Sequence, residues 1–134
     1  MAKVHCVNPQ TVAEVWPLVS DYIAASVVRS GVGSSAAIRD LVFAGGALLW
    51  VVIEAEQIST AIVTQVGISD TGKICEIVAC GGRGTLEDLS LLPEIENYAR
   101  NQDCRVMRII GRKGWMRALP DYKETRVVLE KELA

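Results

Sequence analysis

The sequence predicts a single α/β (α+β) domain: a mixed, mostly antiparallel sheet flanked by helices. Three observations predict it. Residues 47–53, 58–68 and 74–80 are apolar or alternating runs joined by short polar turns, the pattern of a three-strand meander. Residues 74–80 then run into Gly81-Gly82-Arg83-Gly84, after which helical spacing begins at Thr85 and leads to another apolar run at 105–110. A strand, a crossover helix and a further strand give a parallel pair with a right-handed connection. Before the meander, Val12, Val15, Trp16, Val19, Tyr22 and Ile23 recur at helical spacing.

Taken in order, residues 3–7 alternate weakly and predict a short first strand. Asn8-Pro9 suits a helix start, because Asn caps and Pro fits the first helical position. The helix runs to about residue 28 with Pro17 inside it, where a kink is expected, and Gly31-Val32-Gly33 ends it. Ser34 or Ser35 caps a second helix with Ile38, Leu41 and Val42 on its apolar face, closed by Gly45-Gly46. Residues 47–53 are continuously apolar, as in a central strand covered on both faces. Glu54-Ala55-Glu56-Gln57 makes a turn. Ser69-Asp70-Thr71-Gly72-Lys73 makes another, so the strand beginning at Ile74 pairs back antiparallel.

The helix after Gly84 places Leu86, Leu89, Leu92, Ile95 and Ala99 inward. Thr85 with Asp88 resembles a capping box, and Pro93 either kinks or restarts the helix. A short helix is expected over 115–119, stopped by Pro120. Residues 122–133 then close the sheet as a last strand, with Val127, Leu129 and Leu133 on one side and Arg126, Glu130 and Glu132 on the other. The element order is β-α-α-β-β-β-α-β-α-β in one domain over 1–134.

Composition excludes several classes. The chain has 134 residues, half of them hydrophobic, enough for a core and too apolar for disorder. A net charge of −2 gives no footprint for nucleic acid or an anionic membrane, so neither is an expected partner. The longest apolar run, 41–53, is short for a bilayer and broken by Gly45-Gly46, and the N-terminus lacks a signal-peptide stretch. Cys6, Cys75, Cys80 and Cys104 lie among apolar residues without paired spacing. With one histidine, no metal site is expected, and the cysteines read as reduced core thiols of a cytoplasmic protein.

The element order, over essentially the whole chain, resembles the GCN5-related N-acetyltransferase (GNAT) fold. The C-terminal words G-R-K-G-W-M-R-A-L-P-D-Y and V-V-L-E-K-E-L resemble small members of this fold encoded by phages and prophages. The resemblance implies an acetyl-CoA-dependent N-acetyltransferase acting on an amine of a small molecule or protein. Its pyrophosphate loop, Gln/Arg-x-x-Gly-x-Gly/Ala, aligns with Ala79-Cys80-Gly81-Gly82-Arg83-Gly84; Gly82 and Gly84 match, and Ala79 departs from the pattern. Cys80, Gly81, Gly82, Arg83, Gly84 and Thr85 are therefore the implied cofactor-binding residues. A strand–glycine–helix junction suits an anion because its first backbone N–H groups lack intrahelical partners. Glu87 and Asp88 in the same turn would repel it.

The same resemblance implies Glu76 as general base, which burial in an apolar strand would tune. The plainer reading of Glu76 is an exposed residue on a half-solvated face. It implies a tyrosine as general acid on the last short helix. None lies in 115–119, and Tyr122 is the nearest, read otherwise as an aromatic covering the sheet edge.

The alternative is a non-catalytic module of the same fold that binds a phage or host protein, in a host cytoplasm or virion. His5 and Cys6 point to opposite faces of a strand and do not form a catalytic pair. Trp16, Trp50 and Trp115 read as core or interface anchors. Arg105, Arg108, Arg112, Lys113 and Arg117 form a basic cluster that would face the 3′-phosphate of coenzyme A, an acidic partner or simply solvent. The apolar content is compatible with a homodimer through a sheet edge or helix face.

Overall fold

A five-stranded sheet in the order β1-β2-β3-β4-β5 carries helices on both faces. The structure is a computed structural model that describes residues 2–31, 33–83, 90–110 and 119–133. The elements are β1 (Lys3–Cys6), α1 (Val12–Ser30), α2 (Ser35–Phe43), β2 (Leu48–Glu54), β3 (Gln57–Ser69), β4 (Gly72–Gly82), α3 (Leu92–Asn101) and β5 (Cys104–Ile109). Neighbouring strands are antiparallel except β4 and β5, which run parallel as a strand–helix–strand unit requires.

Local chemistry accounts for most boundaries. Asn8 accepts a hydrogen bond from the Gln10 N–H and opens a short 3-10 turn that leads into α1. Exposed Pro17 lies in the second turn of α1, and the helix continues past it to Ser30. Ser34 Oγ accepts from the Ala37 N–H and caps α2. Ala55 and Glu56 both have positive φ, the mirror-image two-residue turn that suits the twist of the β2–β3 hairpin. Ser69 Oγ accepts from the Thr71 N–H and donates to the Gly72 carbonyl, closing the β3–β4 turn. Pro93 stands in the first turn of α3, so the helix starts there. Leu86 and Leu89, the first two positions of the expected stripe, lie outside the described residues, as do the turn at Thr85 and residues 115–118 of the helix expected over 115–119.

The two sheet faces bury separate cores. Val19, Ile23, Leu49, Ala61 and Val63 pack with Ile38 and Val42 under α1 and α2. Trp50, Val52, Ile62 and Ile77 pack with Leu92, Ile95 and Leu119 under α3. The stretch Pro9–Ser30 matches a membrane span in length and apolarity, and one face of it, Val12, Trp16, Val19 and Ile23, is buried in the core against the sheet. Among the four free thiols only Cys75 is buried; Cys6 is exposed on an edge strand, and Cys80 and Cys104 are intermediate. Burial pushes the Cys75 thiol up to about 11, aided by Cys104 and opposed by a hydrogen bond with Thr64. The expectation of four core thiols is corrected accordingly.

One further expectation is corrected. Residues 122–133 are not a strand: Tyr122 lies at a turn, and 123–133 pair with no strand among the described residues. Tyr122 donates its N–H to the Leu119 carbonyl, and the chain beyond it stands in solvent. Alternation alone does not make a strand, since a ladder needs a neighbouring edge at the right place.

Candidate active site

The site is built where β4 leaves β5. The parallel register runs from Lys73↔Cys104 to Ile77↔Ile109 and stops there, whereas β4 stays paired with β3 as far as Gly82. The parallel pairing therefore ends at Ile77 and Ile109, three residues before Cys80. Within the same stretch β4 bulges. Val63 pairs with Ala79 and Thr64 with Ile77, leaving Val78 as the extra residue. The bulge changes the parity of the strand. Ile77 and Cys80 pack on the α3 face, while Val78 and Ala79 pack on the α1–α2 face.

Glu76 sits one residue before the strands part. Its carboxylate lies 3.7 Å from the Arg108 guanidinium across the parallel register Glu76↔Arg108, with side chains 27% and 29% exposed. It is thus half-buried and paired, not a lone acid in an apolar strand. Together with Gln65, its β3 neighbour, Glu76 lines a cavity of about 210 Å3 whose other walls are mainly Ala37, Ile38 and Leu41 of α2 with Ile77, Val78 and Ile110. Glu76 is the one acid that lines it among the described residues.

Tyr122 is on the other side of the sheet. It packs with the α3 core, and its O–H donates to Glu96 Oε2 at 2.5 Å. Burial, then the bond to Glu96, holds its hydroxyl well above the usual phenol range. It lines a separate cleft of about 390 Å3 with Glu96, Arg100 and Arg105. The structure does not bring Glu76 and Tyr122 together.

The glycine cluster has a packing explanation at two of its three glycines. A Cβ on Gly81 would stand 2.3 Å from the Tyr22 carbonyl oxygen and 3.1 Å from Ser26 Cβ, because α1 crosses β4 there. Gly82 has φ 156°, and a Cβ would stand 2.2 Å from the Ser59 carbonyl oxygen of β3. Gly82→Glu would therefore disturb the sheet itself, which makes it a poor probe of ligand binding. The Cys80 N–H donates to Ser26 Oγ at 3.0 Å. Arg83 is exposed; its N–H bonds the Ser59 carbonyl, and its guanidinium reaches Gln57 Oε1 and the Ile58 carbonyl. Gly84 and Thr85, with Glu87 and Asp88, lie outside the described residues.

The sequence missed two partners. Ser26 follows Val19 and Ile23 on the inward stripe of α1, a polar residue at a core position, and that position is its signal. Arg108 was read only within a basic cluster; its pairing with Glu76 needs the β4–β5 register. Arg105 donates to the Thr71 carbonyl, and Arg112, Lys113 and Arg117 lie outside the described residues. Among the described residues no group of His, Cys, Asp and Glu is arranged to hold a metal ion.

Comparison with solved structures identifies the fold. A predicted acetyltransferase from Clostridium acetobutylicum, crystallised with acetyl-CoA, superposes with TM-score 0.69 over 98% of this chain and 96% of that one, at 12% identity. A GNAT family acetyltransferase from Staphylococcus aureus gives 0.67 over 98% of each chain at 10% identity. An aminoglycoside 6′-N-acetyltransferase from Acinetobacter baumannii gives 0.64 over 100% of this chain and 99% of that one, also at 10% identity. No protein-family model and no curated protein matches the chain. The chain has the GNAT fold.

Proposed function

From a fold shared along its whole length with acetyltransferases, we propose that the chain is an acetyl-CoA-dependent N-acetyltransferase acting on a small amine. The observation that carries this reading is the coincidence of three features: the early parting of β4 and β5, a half-buried carboxylate one residue away, and a cavity at that carboxylate. Shared fold alone does not give function; the neighbour crystallised with acetyl-CoA adds support.

The residues fit such a cofactor at the end of the parallel pair, where β5 stops at Ile109 while β4 continues to Gly82. Gly84 and Thr85, with the exposed Arg83 side chain, would hold the pyrophosphate, since the Cys80 and Arg83 N–H groups already serve Ser26 and Ser59. When bound, acetyl-CoA supplies the acetyl group as a thioester activated toward amines. The chain's own part is to hold the amine and take its proton. Glu76 accepts that proton, directly or through a water, and Arg108 fixes the carboxylate so that it faces the cavity.

The cavity also bears on the acceptor. About 210 Å3 is below the range of roughly 300–1,000 Å3 usual for drug-sized ligands. Its apolar lining and single acid suit a primary amine on a short apolar body. A polycationic aminoglycoside, which needs several acids, fits it poorly. Release of free coenzyme A should accelerate when a short-chain alkylamine is added to protein and acetyl-CoA. No amine-dependent release with any acceptor contradicts the reaction; release with aminoglycosides alone contradicts the acceptor class.

A further inference from the structure

Gln65 and Glu76 stand opposite one another in the antiparallel register of β3 and β4, and both line the cavity of about 210 Å3. Partners in such a register have Cβ atoms about 5 Å apart. Gln and Glu side chains are equally long, so a carboxamide and a carboxylate lie side by side on one wall. Gln65 is also the first β3 residue past the end of β2, because the β2–β3 ladder stops at Leu48↔Thr64. The opposite wall is α2, with Ala37, Ile38 and Leu41, and the Oγ of Ser34 there is already used to cap the helix.

The fold does not use the Gln65 amide. The buried polar side chains of β3 are engaged: Ser59 Oγ donates to the Val52 carbonyl, and Thr64 Oγ1 accepts from Trp50 Nε1. Gln65 is half-buried, yet its side chain has no hydrogen-bond partner among the described residues. No buried side-chain polar atom among those residues is an orphan, so this amide keeps contact with the open cavity. A carboxamide offers both a donor and an acceptor, and its best uncharged complement is another amide.

We propose that Gln65 is the second anchor of the acceptor, and that the acceptor is a small primary amine bearing an uncharged amide close to the amine. This rests on the reading of the cavity as the acceptor site. Glu76 takes the amine and Gln65 takes the amide, whose separation on the acceptor is roughly two or three bonds, as the neighbouring anchors require. A carboxylate in the same place is disfavoured. It would stand beside Glu76, whose one cationic partner, Arg108, comes from β5 on the far side of β4 from Gln65. A plain alkylamine fits the apolar walls but leaves the Gln65 amide unanswered, and a site with a hydrogen-bonding group discriminates against such an analogue.

Nuclear magnetic resonance titration of the full chain without acetyl-CoA tests this apart from the reaction. The probes are alaninamide, sec-butylamine and alanine, at a pH where both amines are protonated. Wild type should bind alaninamide about three- to tenfold more tightly than sec-butylamine, the range of a neutral hydrogen bond, and alanine more weakly than either. Gln65→Met keeps the length of the side chain and removes its amide. In that variant the preference for alaninamide should vanish while the affinity for sec-butylamine holds. Absence of binding by either amine, a wild type that does not prefer alaninamide, or a preference that survives Gln65→Met overturns the proposal. The predicted preference without any acetyl transfer upholds the anchor and contradicts only the reaction.

Discussion

Glu76→Gln should lower turnover by about 10²- to 10⁴-fold, the usual contribution of a positioned general base. Gln keeps the shape and hydrogen-bonding reach of Glu but cannot take the proton that the amine must lose to attack the thioester as a neutral nucleophile. Glu76 lies one residue from the point where β4 and β5 part, and its carboxylate is held by Arg108 at 3.7 Å. Arg108→Met should therefore also depress turnover while the melting curve stays close to wild type, since a half-exposed ion pair contributes little stability. Turnover unchanged in Glu76→Gln would exclude it as the base.

Gly81→Ala should be the most damaging small substitution in the glycine cluster. The new Cβ would meet the Tyr22 carbonyl oxygen at 2.3 Å, and backbone cannot turn aside as a side chain can. Relief requires α1 to lift away from β4, opening the core formed by Val19, Ile23 and Ala79. Overpacking of this kind costs about 1–3 kcal/mol, and the backbone contact places this case at the upper end. Thermal unfolding measures it, with Gly67→Ala as the control: no atom lies within 4 Å of that Cβ, and its melting temperature should barely move. Equal melting temperatures in the two variants would contradict the close approach of α1 to β4.

That result also bears on how the cluster was read. Gly81-Gly82-Arg83-Gly84 looks from sequence like a loop for a phosphate, because glycines let backbone N–H groups come near an anion. The structure gives Gly81 to α1 and Gly82 to β3, two neighbours far away in sequence. A motif whose glycines are needed for packing carries less information about a ligand than its spelling implies. The cofactor argument therefore rests on the parting of the strands and not on the glycines.

What the sequence revealed was local in origin. The stripe Val12, Trp16, Val19 and Ile23, the Ser34 cap, the turn at Ser69–Gly72 and the start of α3 at Pro93 each depend on neighbours a few residues apart. The parallel β4–β5 pair followed from the intervening helix, and with it the fold class. What stayed hidden was set by register. The bulge at Val78 turns Ala79 and Cys80 to faces that simple alternation assigns the other way. The Glu76–Arg108 pair needs the alignment of two strands 32 positions apart. The chain after Leu119 delivers Tyr122 to Glu96 on the α3 face, away from Glu76. Residues 122–133 alternate as a strand does, but they pair with no strand among the described residues.

Calorimetric titration of the purified protein with acetyl-CoA tests the central claim most directly. The account predicts saturable binding with a micromolar dissociation constant, unaffected by Glu76→Gln because that carboxylate serves the amine and not the cofactor. Absence of binding at millimolar acetyl-CoA would contradict it, leaving the GNAT fold here as a scaffold for another role, such as a surface for a protein partner.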